Sequence, residues 1–359
     1  MIAVETHTAL LLDPIYREHL TDRPHPERPE RFDAVVEGLQ QAGLLDKLGR
    51  VDRRTATEEE LLLCHTPEYL RVARHDVESG LPHLSTGDTD VTPNSWDIAT
   101  LAAGGVLNAV DAVMKGKVRN AFCAVRPPGH HATPNRGMGF CLLNNVAIAA
   151  RYAQRKHGVE RVLIVDWDVH HGNGTQDIFW NDPDVLYMSV HQYPYYPGSG
   201  APTELGGPDA KGATINVGLP AGSRDGDYAA VFDHVFLPAL AQFRPDLVLI
   251  SAGFDAFEHD PLAGMRVTRA GFGAMARRLR RAADELAGGR AIAVLEGGYD
   301  LDGLGGGMTA TLEAFAAPSV EPVSAVALPA PGMLARAAID GTLRAHAAAG
   351  SPIPEAGLP

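Results

Sequence analysis

The chain has 359 residues, 45% of them hydrophobic, which suits one large α/β domain or two smaller ones. Its net charge of -13 argues against a general nucleic-acid binder, because phosphate binding needs a basic surface. No apolar run approaches the length that spans a membrane, Met1–Glu5 lacks a signal-peptide pattern, and Cys64, Cys123 and Cys141 lack CxxC spacing, so a cytoplasmic protein with reduced thiols is expected.

Residues 1–20 hold a short apolar stretch, and a loop with His25-Pro26-Glu27-Arg28-Pro29 follows. Pro29 suits the first turn of a helix that runs through Phe32, Val35 and Leu39 towards Gly43. Thr57 followed by Glu58, Glu59 and Glu60 reads as a second helix start. Further helices are expected over 67–78 and 94–114, separated by a Gly-, Pro- and Asp-rich loop over 80–94. Strand-like runs occur at 121–125, 162–166, 185–190, 213–217, 247–252 and 291–296, with helices expected at 147–157, 226–242 and 268–287. Alternating strand and helix implies a mostly parallel sheet with helices on both faces. Residues 1–317 read as one catalytic domain. Residues 318–359 read as an Ala- and Pro-rich extension with a helix near 333–348, packed on the domain or trailing from it. Arg277, Arg278, Arg280 and Arg281 read as one solvated helix face.

The chemistry sits at the strand ends, where open α/β sheets bind ligands. The apolar run Val162–Val165 ends in Asp166-Trp167-Asp168-Val169-His170-His171-Gly172-Asn173-Gly174. Asp168 and His170 are two apart and point to one side, as two ligands of a divalent metal would. Other strands end in His130-His131, in Gly253-Phe254-Asp255 and in Glu296-Gly297-Gly298-Tyr299. If these ends meet, Asp255 completes an Asp/His/Asp set with room for water and substrate. Adjacent histidines then lie above it, and a tyrosine arrives on a flexible Gly-Gly hinge. That combination suits an amide hydrolase. Asp255 as a helix N-cap and Tyr299 as a turn residue are the plainer readings.

These motifs, with His25-Pro26-Glu27 and Arg31, Arg126-Pro127-Pro128-Gly129-His130-His131, Gly139-Phe140-Cys141 and Ser189-Val190-His191, resemble the histone deacetylase family. The wording from Asp166 to Gln176 is similar to the class II branch and its bacterial relatives. The resemblance implies the arginase–deacetylase fold: three αβα layers around a sheet of about eight strands. It implies Zn²⁺ on Asp168, His170 and Asp255, with His131 as base and then acid. His130 would be its electrostatic partner on Asp166, and Tyr299 would donate to the carbonyl oxygen. Asn173 stands where class I members have an aspartate, so His131 is expected to have a lower pKa than beside a carboxylate. A structural K⁺ is implied at Asp166, Asp168, His170, Ser189 and Val190, and a second monovalent site near Phe179, Asp182 and Val185. Gly139, Phe140, Tyr196, Leu262 and Gly298 would line a substrate tunnel, with Asp88 or Asp90 at its rim and Arg31 in an internal channel. The implied substrate is an acetylated lysine side chain. The alternative is an acetylpolyamine or another small acetylated amine, which Leu262 disfavours because polyamine members often carry an acidic residue there. No nucleic acid or membrane partner is implied, and a homo-oligomer is compatible with the reading. A silent acetyl-lysine binding module and a two-manganese ureohydrolase are the readings from other classes.

Overall fold

The computed structural model describes residues 7–20, 24–319 and 328–354. Strands form where apolar runs end in polar or glycine-rich loops: β1 (Thr8–Leu11), β2 (Gly49–Arg50), β3 (Asn120–Cys123), β4 (Val162–Asp166), β5 (Val185–Gln192), β6 (Thr214–Leu219), β7 (Leu247–Ala252) and β8 (Ala291–Leu295). They make one eight-stranded sheet in the order β2-β1-β3-β8-β7-β4-β5-β6. Every pairing is parallel, so the sheet is wholly rather than mostly so.

The helices are α1 (Glu30–Gln41), α2 (Glu58–Leu61), α3 (Pro67–Glu78), α4 (Ser95–Met114), α5 (Asn145–His157), α6 (Asn173–Phe179), α7 (Asp225–Val231), α8 (Leu237–Phe243), α9 (Arg269–Leu286), α10 (Leu301–Ala316) and α11 (Met333–Ala348). Thr57 makes the capping box that starts α2: it accepts from the Glu60 N–H while the Glu60 side chain accepts from the Thr57 N–H. The run expected as one helix over 226–242 is interrupted between α7 and α8 by a π-helical turn at Phe232–Phe236. Short apolar runs do not distinguish β1 or α6 from loop, and α10, rich in glycine, carries a weak helical signal.

Alternation along the strands feeds two cores. Leu163, Val165, Val248 and Ile250 face one cluster with α1, α9 and α10. Val162, Ile164, Leu247 and Leu249 face the other with α4 and α5. Helix α4 is long and apolar enough, by composition, to cross a membrane, but 67% of that window is buried inside the fold. Its apolarity matches a layer of the core. Helix α11 closes the β6 edge: Thr342 Oγ1 donates to the Asn216 carbonyl at 2.8 Å, and Ala335 and Ile339 join the core.

The arginine cluster of α9 departs from the expected solvated face. Arg278 and Arg280 are buried. Arg278 pairs with Asp233 at 2.8 Å, and Arg280 with Asp284. Their charges are neutralised by neighbours that lie outside the helical pattern of α9 itself or one turn along it.

Candidate active site

Four adjacent strands, β3, β8, β7 and β4, end at one level. Asp166 lies beside Ser251, Ser251 beside Val294, and Val294 beside Cys123. The four loops predicted to carry chemistry therefore leave the sheet side by side, at the carboxyl edge where α/β folds place ligands.

Asp168, His170 and Asp255 are buried, and one ligand atom from each lies within 4.8 Å of the others. His170 Nδ1 stands 3.2 Å from Asp168 Oδ1 and 3.1 Å from Asp255 Oδ2. Main-chain donors aim both carboxylates. Gly297 N–H donates to Asp168 Oδ2 at 2.8 Å, and Val169 N–H donates to Asp255 Oδ1 at 2.9 Å. Burial opposes a charge on His170, but its hydrogen bonds to Asp168 and Asp255 outweigh that and hold its pKa well above the imidazole range. Burial and the Asp168 charge push the Asp255 carboxyl up. The cluster thus calls for positive charge at its centre. Two carboxylates and one imidazole are a donor set that suits a divalent ion such as Zn²⁺. The residues fit the group the resemblance implies.

The glycines explain how so much polar matter fits. A Cβ at Gly253 would lie 2.1 Å from Asp168 Oδ2, and one at Gly297 would lie 2.2 Å from Asp255 Oδ2. At Gly298, φ is +120°, and a Cβ would lie 2.9 Å from that of Phe254. The pair before Tyr299 packs against the triad and Phe254 so closely that neither position has room for a side chain.

The His130 and His131 rings lie against each other, tilted by 40°, with centroids 4.0 Å apart. His130 Nδ1 lies 3.0 Å from Asp166 Oδ2, which also accepts from the Tyr187 hydroxyl at 3.1 Å. Burial works against the charged form of His130, but Asp168, Asp166 and Glu296 overcome it and hold its pKa up at about 10. His131 Nδ1 lies 2.8 Å from Asn173 Oδ1. Burial, followed by the charges of His130 and His170, pushes His131 well below the usual imidazole range. The two neighbours are therefore pushed in opposite directions, His130 towards the charged form and His131 towards the neutral one, a separation that suits divided acid and base roles.

The two aromatic residues expected as tunnel walls lie beside the histidines and Tyr299. The Tyr196 ring stands perpendicular to His131 at 5.2 Å, and Phe140 meets Tyr299 edge-on at 5.8 Å. Gly139 packs on His131, since a Cβ there would come within 2.3 Å of the ring. Of the two rim candidates, Asp88 reaches the walls, accepting from Gly139 N–H at 2.8 Å and from the Tyr196 hydroxyl at 3.0 Å. Asp90 is half-buried and bridges to His83. Leu262 is half-buried, and its carbonyl accepts from the Tyr195 hydroxyl at 2.9 Å.

Arg31 lies fully buried beneath Tyr299, its guanidinium 5.1 Å from the ring centre. It donates to the Gly298 carbonyl at 2.7 Å, to the Glu296 carbonyl at 2.6 Å and to Glu27 at 2.8 Å. Arg126 shares the same Glu27 carboxylate, at 2.8 Å from Oε2. Burial would raise the Glu27 pKa, but Arg126, His19 and Arg31 hold it down at about 2.

Two functional-site residues carried no sequence signal that singled them out. Asp260 Oδ2 accepts from the N–H groups of Tyr299 at 2.7 Å and Asp300 at 3.1 Å. Glu296 Oε2 accepts from Gly129 and His130 N–H at 2.6 and 3.1 Å. Glu296 stands out only as part of the Glu296–Tyr299 motif, and Asp260 belongs to no motif. Their separations from their partners follow no local spacing. Around the expected K⁺ donors, Ser189 pairs in register with Asp166, and Ser189 Oγ lies 2.9 Å from His191 Nδ1. Near Phe179 and Val185, the Asp182 carboxylate is engaged by Arg151, whose guanidinium lies 4.6 Å from the Phe179 ring centre.

Comparison with known proteins places this geometry among relatives. Residues 25–315 match the histone deacetylase domain family. A probable deacetylase of Archaeoglobus fulgidus is 40% identical over 298 residues, covering 82% of each chain. Human polyamine deacetylase HDAC10 is 43% identical over 312 residues, 83% of this chain and 46% of that protein. The crystal structure of the HDA15 HD domain superposes with a TM-score of 0.86 at 37% identity, covering 95% of this chain and 94% of the other.

Proposed function

The chain belongs to the histone deacetylase family and is a deacetylase of its arginase–deacetylase fold, and from that premise we propose that it is a zinc-dependent hydrolase of acetylated lysine side chains. The observation that carries this reading is the tandem His130-His131 pair, held by Asp166 and Asn173, beside the buried Asp168/His170/Asp255 triad.

Asp168, His170 and Asp255 would hold Zn²⁺, which when bound polarises the acetyl carbonyl as a Lewis acid and acidifies water. Asn173 Oδ1 accepts from His131 Nδ1–H, an assignment that follows from the hydrogen-bond network. The lone pair of His131 then lies on Nε2, which takes the proton from the attacking water. The water oxygen bonds to the carbonyl carbon, and negative charge moves to the carbonyl oxygen. The Tyr299 hydroxyl donates to that oxygen as the charge develops, and His130, kept cationic beside Asp166, adds to the field. The carbon–nitrogen bond then breaks, His131 returns its proton to the departing amine, and acetate and the free amine result. Asp260 keeps the Tyr299 backbone in place during this sequence.

Phe140 and Tyr196 would flank a thin aliphatic stem. Leu262 favours the lysine reading because a second ammonium group would meet no carboxylate from that side chain. The second reading, a deacetylase of acetylpolyamines, draws on the polyamine deacetylase relatives and on the exposed carboxylate of Asp88. Asp166, Asp168, His170, Ser189 and Val190 would hold a K⁺ behind the site, and Gly139, Gly298 and Arg31 would shape the tunnel and an internal channel. A second monovalent ion at Phe179, Asp182 and Val185 would rely on main-chain carbonyls, since Arg151 takes the Asp182 carboxylate. A cytoplasmic location is part of the same proposal. The test is a panel of acetyl-lysine peptides, acetylpolyamines and longer acyl-lysines, with metal analysis of the same enzyme. Preferred turnover of acetyl-lysine with one zinc per chain is expected. Turnover of acetylpolyamines alone would move the assignment to the second reading.

A further inference from the structure

Loops from distant parts of the chain meet at the mouth of the site, and Asp88 ties two of them. Asp88 lies in the exposed α3–α4 loop; its Oδ1 accepts from Gly139 N–H at 2.8 Å and its Oδ2 from the Tyr196 hydroxyl at 3.0 Å. Gly139 and Phe140 both sit at left-handed φ, +56° and +69°. A Phe in that region is held by its surroundings. The bond from Gly139 to Asp88 therefore pins a segment that packs directly on His131. The same carboxylate also pins Tyr196, whose ring stands perpendicular to that His131 ring at 5.2 Å. The neighbouring Tyr195 continues the chain of bonds. Its hydroxyl donates to the Leu262 carbonyl, Leu262 N–H donates to Asp260 Oδ1 at 2.9 Å, and Asp260 Oδ2 accepts from Tyr299 N–H. Two successive phenols thus join the rim loop to the loop that carries Tyr299. A phenylalanine at position 196 could not make the tie.

We propose that the Asp88–Tyr196 hydrogen bond is a positioning device for substrate entry, holding the Phe140 and Tyr196 walls at a fixed separation. The proposal rests on the deacetylase reading above and extends it to the entrance. Asp88 acts here through the walls and not by gripping the main chain of a peptide. Its loss is therefore felt equally by substrates with and without a peptide backbone.

The test compares Tyr196→Phe, Asp88→Asn and the double variant with the parent, on an acetyl-lysine peptide and on N-acetylputrescine. A lost charge-assisted hydrogen bond at an exposed site corresponds to about a 3- to 10-fold change. That change is expected in KM more than in kcat, on both substrates alike, with the double variant no worse than the more damaged single one. Tyr196→Phe with parental KM on both substrates would overturn the tie. So would an Asp88→Asn defect confined to the peptide and additive with Tyr196→Phe, which would assign Asp88 to the substrate backbone. A parent that cleaves neither substrate counts against the functional reading, not the tie. The tie is then judged by hydrogen–deuterium exchange over residues 137–141. Tyr196→Phe should speed exchange there, and unchanged exchange would remove the proposal.

Discussion

His131 Nδ1 lies 2.8 Å from the amide oxygen of Asn173, so the imidazole beside the metal triad leans on a neutral group and not on a carboxylate. A neutral partner orients the ring and favours its protonated form less than a carboxylate would, and burial beside His130 and His170 keeps the pKa low. Asn173→Asp would supply a negative charge at the same place and raise the His131 pKa. The base works only when neutral, and activity is lost as pH falls through that pKa. The acid limb of the kcat/KM profile should therefore move to higher pH by about 1 unit or more. An unmoved limb would separate His131 from that titration.

Removal of one triad carboxylate should remove the metal. Asp168→Ala or Asp255→Ala leaves two ligands, too few for a useful site. Dialysed protein should show loss of bound zinc by elemental analysis together with loss of turnover. Either variant retaining full activity would contradict the assigned ligands.

Tyr299→Phe deletes a hydroxyl and keeps a ring that already packs against Phe140 and Arg31. The hydrogen bond it supplies strengthens only as charge develops, so kcat should fall roughly 100- to 1,000-fold with little change in KM. Parental kcat in this variant would mean that the oxyanion donor is another group.

Asp260→Ala removes the acceptor for the Tyr299 and Asp300 N–H groups and leaves the phenol chemically intact. The loop carrying Tyr299 loses its fixed backbone. A kcat decrease of about 10-fold or more is expected from misplacement, with the zinc content unchanged. Loss of zinc in step with activity would instead mean that Asp260 supports the triad.

Glu27 links acid stability to the buried pair Arg31 and Arg126. Its pKa is lowered to about 2 from 4.5. The stabilisation is therefore fully present above the unfolded value and is lost as pH falls from about 4.5 towards 2. Glu27→Gln leaves two buried guanidinium groups short of a counter-charge, and about 3–5 kcal/mol of stability should disappear at neutral pH. Denaturant unfolding at pH 7 and pH 3 checks both statements: the gap between parent and variant should narrow at the lower pH.

Local sequence determined strands β3 to β8, the helices with strong periodicity or caps, and the polar residues at the strand ends. Those features depend on neighbours within a few positions: β-branched runs for β4 and β7, the Thr57–Glu60 capping box, and the two-residue spacing of Asp168 and His170. The resemblance to the deacetylase family supplied the roles expected of those residues. Tertiary structure decided that β8 and β7 lie between β3 and β4, which brings His130, Asp168, Asp255 and Tyr299 to one edge. It also decided that Arg278 and Arg280 are buried partners, not a solvated face, and that Gly297 lies too close to Asp255 for any side chain. The bonds from Asp260 to Tyr299 and from Asp88 to Tyr196 join residues 39 and 108 positions apart. A contact across such a distance leaves no period in the chain, because strand order and loop packing, not local propensity, create it.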